Sequence, residues 1–452
     1  MIKKILIVIV SILLLTNCVQ AVNINLSEKT FFNSSITNWT VMYYMCGDND
    51  AMDSYIAPLL ENLSNIGSNK NLNIISLSDR TGSGNSKIYY FNETGEKIEL
   101  NQIYGWPSEI NTNNLNTLEL YCKQIINSYP AKNYALIIYT AGGNGWQTIY
   151  LGDEDDKNNV VTYPELAQSL ETITSSVGKK IDVFVGSCSI NMMEVGYELA
   201  PYVDYIVGTQ DCFPLNHVVP MFYKAVYDLK NNTDLTPEEF AVRSPANYKA
   251  VTFHYIEGYG GKISVLFKIF DRLPCNELHS VYHHSSIGVI NNSELSKLSK
   301  DFNDLISLLI LNIHDTEIFS SIKKTRNEVQ ELAKCAPIFP SLYNFYRKFP
   351  FEFLAYDCYV DMYDLIHLFK ENIDNDVIKN RCDIVLNQIN KTIPMVSKVE
   401  NIPSCGMNIY FPKNSFLYNK YKSRGKIPCP YEELKFTKDT EWDEFLKAYL
   451  YI

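Results

Sequence analysis

The sequence predicts an α/β fold built on a mostly parallel central sheet, and three stretches carry that prediction. Tyr134-Ala-Leu-Ile-Ile-Tyr-Thr140, Ile181-Asp-Val-Phe-Val185 and Val203-Asp-Tyr-Ile-Val-Gly208 are largely apolar runs of strand length. Helical patterns lie between them, and this alternation is what parallel strands buried on both faces look like. In such sheets ligands and catalytic groups collect just beyond the carboxyl ends of the strands. The first run ends in the glycine turn Gly142-Gly-Asn-Gly145-Trp146, and the second ends in Gly186-Ser187-Cys188.

The chain has 452 residues, ample for one large domain with insertions or for two domains. A net charge of −11 argues against nucleic acid and anionic membrane surfaces as partners, because no basic patch offsets phosphate. Residues 1–21 read as a targeting segment rather than fold. Lys3-Lys4 is a positive start, and Ile5 to Leu15 is an apolar run too short to span a bilayer. Leu15-Thr16-Asn17-Cys18 resembles a lipobox, which makes Cys18 the lipidation site and predicts an exported cell-envelope lipoprotein. Cleavage after Val19-Gln20-Ala21, giving a secreted soluble protein, is the alternative. The membrane is then touched only through a lipid anchor.

Residues 22–38 are largely polar and read as a linker. Beyond a first strand, Trp39 to Met45, Asp50 is a candidate N-cap for a helix with Met52, Ile56, Leu59, Leu60, Leu63 and Ile66 at helical spacing, ended by Gly67. Leu72 to Leu77 is the next strand. The region from Ser78 to Thr112 reads as hairpin and loop, and a helix from Leu115 to Ser128 closes before Pro130. Gly152-Asp-Glu-Asp-Asp156 lacks the spacing of an EF-hand loop and reads as a solvated acidic loop, so no cofactor is expected, with Ca2+ as the weaker alternative. Helices are expected over Tyr163–Val177 and Val218–Leu229, and after Thr236-Pro237. Residues 275–395 read mainly as helices, one capped by Ser293 and one from Asp374 to Ile393. A strand near 406–412 and a helix from Glu441 to Leu450 follow. The expected division is thus a sheet core over 39–225 and a mainly helical portion over 226–452.

The layout resembles the clostripain family of cysteine peptidases. Cys188 is followed by Met192-Met-Glu-Val-Gly-Tyr-Glu-Leu199, close to the helix that follows the nucleophile in that family. Trp39-Thr-Val-Met-Tyr-Tyr-Met45 with Gly47-Asp-Asn-Asp50, Val360-Asp-Met-Tyr-Asp-Leu365 and Gly406-Met-Asn-Ile-Tyr-Phe-Pro412 match further motifs in the family's order. The resemblance implies a caspase-like three-layer fold, Cys188 at the nucleophile position, and oxyanion donors from the backbone of Cys188 and of Gly142 or Gly143. It also implies a peptide or protein ligand and, in some relatives, calcium.

Departures from the pattern decide the functional expectation. Where the family has its histidine, this chain has Ala141 or Gly142; where it usually has an aspartate before the cysteine, this chain has Gly186. Asp211 is the remaining candidate carboxylate for an Arg or Lys side chain of substrate, or a plain turn residue. A cysteine peptidase needs a base to hold the thiol proton and return it to the leaving amine. The expectation is therefore a pseudopeptidase that binds peptides or proteins. One alternative is an active endopeptidase cleaving after Arg or Lys with His217, or less readily His254, as substitute base. Another is a redox or structural envelope protein in which Cys188 pairs with a cysteine such as Cys46. Most of the ten cysteines left when Cys18 is taken from eleven are expected to be free and buried.

Overall fold

The computed structural model describes residues 36–49, 52–140, 142–143, 145–153, 160–186, 189–211, 215–250, 252–255, 281–331, 333–335, 358–415, 418–419 and 429–451. Cys18, Asp50, Ala141, Cys188 and the stretch 154–156 lie outside the described residues.

Strands β1 (Thr37–Gly47), β2 (Leu72–Arg80), β3 (Lys87–Phe91) and β4 (Lys97–Glu99) open the chain. Next come β5 (Ala131–Tyr139), a two-residue hairpin of β6 (Gly142–Gly143) and β7 (Ile149–Tyr150), then β8 (Ile181–Val185) and β9 (Val203–Thr209). The rest are β10 (Thr252–Tyr255), β11 (Val281–His284), β12 (Ser286–Asn291), β13 (Ala333–Cys335), β14 (Tyr359–Asp361), β15 (Met395–Lys398) and β16 (Asn408–Tyr410). Nine of them form one sheet in the order β15-β12-β9-β8-β5-β1-β2-β3-β4. The five central strands β9 to β2 run parallel, and the strands outside them run antiparallel.

Alternate residues of the central strands feed two cores. Met42, Leu136, Ile138 and Phe184 pack on the side of helices Leu115–Ser128, Tyr163–Val177 and Asn292–Leu311. Val41, Tyr43, Ile137 and Val183 pack on the side of helices Asp53–Ile66 and Leu215–Asn231. Two buried faces explain why these strands read as continuous apolar runs. Local signals were accurate where a cap was spelled out. Thr162 and Glu165 make a capping box for Tyr163–Val177, Thr236 and Glu239 make one for Pro237–Ala241, and Gly67 ends Asp53–Ile66 at φ 63°.

The region after residue 226 is less helical than expected. It supplies β12 and β15 to the main sheet, so the sheet core does not stop at residue 225. Gly288, in the middle of β12, hid that strand's period. An added Cβ there would sit 2.7 Å from the Gly406 carbonyl oxygen, so the glycine serves a close backbone approach. One cap and one helix start also move: Asn291, not Ser293, caps Asn292–Leu311, and the helix expected from Asp374 runs over Asp376–Thr392, capped by Asn375. In each case the side-chain oxygen accepts the N–H two residues on.

Candidate active site

Strand pairing sets the rim. Ile137 pairs with Val185 and Val185 with Val207, so the tips of β5, β8 and β9 stand side by side. Gly142 and Gly143 lie beyond the first tip, Gly186 at the second and buried Asp211 just past the third. The sequence-predicted positions are therefore brought together wherever they are described. His217 falls in the first turn of Leu215–Asn231, which starts beyond β9, and His254 falls in β10; both side chains lie outside the described residues. His314 is exposed in the turn after Asn292–Leu311, and His367 meets Glu371 at 3.2 Å on an exposed helix face.

The glycine hairpin is held tightly. Gly142 has φ 128°, a conformation that L side chains rarely adopt, and pairs with Tyr150. The Thr140 hydroxyl donates to the Tyr150 carbonyl. Gly145 has φ 55°, and a Cβ there would run into the Tyr359 ring. Of the two candidate positions for a histidine, Gly142 is thus closed to one by its backbone.

Gly186 has its own constraint. A Cβ there would lie 2.6 Å from Ile190 Cδ1, and one on Gly208 would run into Ile190 Cγ2 and come within 2.9 Å of Asn191 Oδ1. Buried Ile190 covers both strand ends, so the space an aspartate would need before the cysteine is already filled. Gly208→Ala is expected to destabilise the protein by about 1–3 kcal/mol in chemical denaturation, because Cγ2 cannot swing away. Adding Ile190→Ala should recover part of that loss if Ile190 is the obstacle.

The helix that follows Cys188 in the sequence starts too late for its dipole to reach that position. Residues 190 and 191 have no regular structure, Met192 is extended, and the helix is Met193–Leu199, starting five positions past Cys188. Dipole effects fade within the first turn. Ser189, next to the cysteine, holds φ 54°, with its N–H on Thr209 Oγ1 at 3.3 Å. A pairing of Cys46 with Cys188 is also overturned. Cys46 is a free thiol in the core beneath Leu115–Ser128, and burial holds its pKa well above the usual value. Among the described residues Cys122, Cys382, Cys405 and Cys429 are free thiols as well, the first two of them buried.

A buried polar cluster pins the C-terminal segment to this rim. Gln210 Nε2 donates to Asp361 Oδ2 and Asn408 Oδ1, both at 2.9 Å. Its Oε1 accepts the Ser286 hydroxyl at 2.8 Å, the Gly406 N–H at 3.0 Å and the Ser404 hydroxyl. Asn191, three residues past Cys188, donates to the Gly288 and Gly406 carbonyls at 3.0 and 2.9 Å. Asp361 also caps helix Met362–Asn372 and takes the Cys405 N–H.

The profile of the clostripain family, Peptidase C11, matches residues 43–449. The chain belongs to the clostripain family. No curated protein matches it. Solved structures place the clostripain-family fold independently. An inactive zymogen C11 protease from Parabacteroides distasonis has TM-score 0.54 and 16% identity, covering 90% of this chain and 99% of its own. A secreted C11 cysteine protease from Bacteroides thetaiotaomicron, in complex with an irreversible peptide inhibitor, has TM-score 0.55 and 15% identity over the same shares. At such identities the likeness concerns the fold.

The clostripain-family motif after the cysteine contributes a residue the sequence reading left without a role. Glu194 is fully buried; its Oε1 accepts the Tyr410 N–H at 2.9 Å and the Tyr431 hydroxyl at 2.8 Å, while Oε2 has no partner. Trp146 of the glycine turn packs its ring against both tyrosines. Burial pushes the Glu194 carboxyl up from 4.5 to about 7. Between those values the folded chain holds a proton that the unfolded chain has lost, so stability falls as pH rises through the window. The loss is on the order of 2–3 kcal/mol between pH ~4.5 and ~7. Glu194→Gln should flatten that part of the pH–stability curve, whatever it does to the absolute level; an unchanged slope would clear Glu194 of the effect.

Proposed function

We propose that this clostripain-family chain is an exported pseudopeptidase that holds peptides or protein segments in the inherited cleft at the cell envelope. The observation that carries the reading is the sequence Thr140-Ala-Gly-Gly143 directly after β5, where an imidazole would have to stand. A thiol at its ordinary pKa of ~8.5 is only a few per cent ionised at neutral pH. Neither Ala nor Gly can return a proton to a departing amine. Asp211, buried beside the β9 tip, is the carboxylate left to meet a basic side chain, and Gly142 and Gly143 keep their backbone donors. Export is supported by the Lys3-Lys4 start, the apolar run behind it and Cys18 as the lipidation site, and by the secreted relative from B. thetaiotaomicron.

A second reading, an endopeptidase acting after Arg or Lys, is favoured by the position of His217 in the first helical turn past β9. Fluorogenic Arg- and Lys-containing peptides separate the two. Protein lacking residues 1–21 is expected to turn them over no faster than its Cys188→Ala variant, while binding them measurably by fluorescence anisotropy. Turnover that Cys188→Ala and His217→Ala each abolish would overturn the pseudopeptidase reading in favour of the second.

A further inference from the structure

The last helices of the chain frame a cavity that the strand-tip rim does not use. It lies between the helical turn Tyr431–Glu433, helices Lys435–Asp439 and Trp442–Tyr451, and Asn303 on Asn292–Leu311. Its volume of about 470 Å3 falls in the range of small-molecule sites. Glu432, Asp439, Glu441, Asp443 and Glu444 line it. Among the described residues the cation on its wall is Lys438, which is committed to Glu433 at 2.7 Å.

Part of this charge has an ordinary explanation. Asp443 and Glu444 sit in the first turn of Trp442–Tyr451, where the helix dipole favours carboxylates. Hydroxyls serve others: Tyr197 donates to Asp439 at 3.0 Å, Tyr418 to Glu432 at 3.1 Å, and Ser307 to Glu441. Such donors are neutral and leave the negative charge in place. Asp443 is different, being only 4% exposed. Its Oδ2 meets Lys447 at 2.7 Å, but its Oδ1, shielded from water, has no hydrogen-bond partner. Glu444 comes within hydrogen-bond reach of Asp443, and partial burial together with that contact raises the Glu444 carboxyl above its usual range. A shielded carboxylate oxygen beside a second carboxyl lacks a donor that the protein itself does not supply.

We propose that this cavity binds an organic cation, the ammonium or guanidinium group of a polyamine or of a basic peptide, with Asp443 and Glu444 as its central acceptors. Spacing argues against a metal ion. Among the described residues, metal-ligating atoms of three side chains come within 4.8 Å of one another only at Asp48, Asp79 and Asp153. Those lie beside the glycine hairpin, where buried Asp153 corrects the expectation of a solvated loop. The cavity's carboxylates are spread more widely, and several N–H donors along a flexible chain match acceptors spread around a wall. The site goes beyond the pseudopeptidase reading and does not rest on it, since its residues come from the last helices and Asn303.

The test titrates the purified full chain by calorimetry with spermidine and, separately, with the capped dipeptide acetyl-Arg-Arg-amide. One molecule per chain is expected, held less tightly as salt is raised. Asp443→Asn and Glu444→Gln should each lower affinity about tenfold or more, the loss that goes with one charge-assisted hydrogen bond. Glu61→Gln, which removes an exposed carboxylate from helix Asp53–Ile66, should leave binding unchanged. Tighter binding of spermidine assigns the site to free polyamines and tighter binding of the dipeptide to a basic protein segment; either supports the proposal. Binding of neither probe overturns it. Binding that Glu444→Gln leaves intact also overturns it, because the net charge of −11 or the strand-tip cleft would then account for the uptake. In that event the pseudopeptidase reading still stands. Should Asp443→Asn fail to fold, Glu444→Gln, at an exposed position, decides.

Discussion

If the proposed pseudopeptidase reading holds, Ala141→His is expected to raise turnover of Arg- and Lys-containing peptides by about 10²–10⁴-fold. The reasoning is positional. β5 and β8 are paired parallel neighbours whose carboxyl ends lie side by side, and Ala141 and Cys188 follow those ends by two and three positions in the sequence. An imidazole there would supply both halves of general acid–base help: it takes the thiol proton and later returns it to the amine. Gly142→His is the matched control. At φ 128° the second position rejects a side chain, so that variant should lose stability and gain no turnover. Adding Cys188→Ala to Ala141→His should abolish whatever is gained. A folded Ala141→His protein with no gain in activity would count against a missing base as the limiting feature and direct attention to the crowded position at Gly186 and Ile190.

How much of this could be read from the chain depended on whether a feature was local. Parallel strands buried on both faces announce themselves as apolar runs, and the glycine turn and cysteine triplet at their ends follow from the same pattern. Caps written as Thr-x-x-Glu were legible for the same reason, since cap and helix share one stretch of sequence. Features made by distant segments were not. β12 is a short run interrupted by Gly288, whose purpose appears only when Gly406 lies against it. Asp48, Asp79 and Asp153 are separated by 31 and 74 positions in the sequence and meet only because β1 and β2 are neighbours and the hairpin folds back. The substitution of Gly186 reads in sequence as a lost carboxylate; in three dimensions it belongs with Ile190 and Gly208 as one packing solution. Glu194 sat in a matched motif, yet its partners Tyr410 and Tyr431 are more than two hundred residues away.

Gln210→Leu is expected to be the most damaging substitution at the rim, lowering stability by about 3–5 kcal/mol. Its side chain is fully enclosed and bonds to five groups from three separate segments, at 286, 361 and 404–408. Leucine has nearly the same size but leaves the Gly406 N–H, two hydroxyls and one oxygen of buried Asp361 without that partner, and unsatisfied buried groups cost more than the bonds themselves contribute. Because these segments include β12 and β16, the damage should reach beyond the point of substitution and loosen the C-terminal segment from Asn191 and the β9 tip. Gln210→Glu separates the two halves of the cluster. It keeps acceptors for Ser286, Ser404 and Gly406 but sets a carboxylate against Asp361, so its defect should ease as pH falls and the added carboxyl is protonated. Denaturant unfolding of both variants, read alongside hydrogen exchange over residues 404–411, checks the scheme. If Gln210→Leu unfolds like wild type and that segment stays protected, the C-terminal strands are held on the rim by apolar packing, and the polar cluster is a consequence of the fold instead of its clasp.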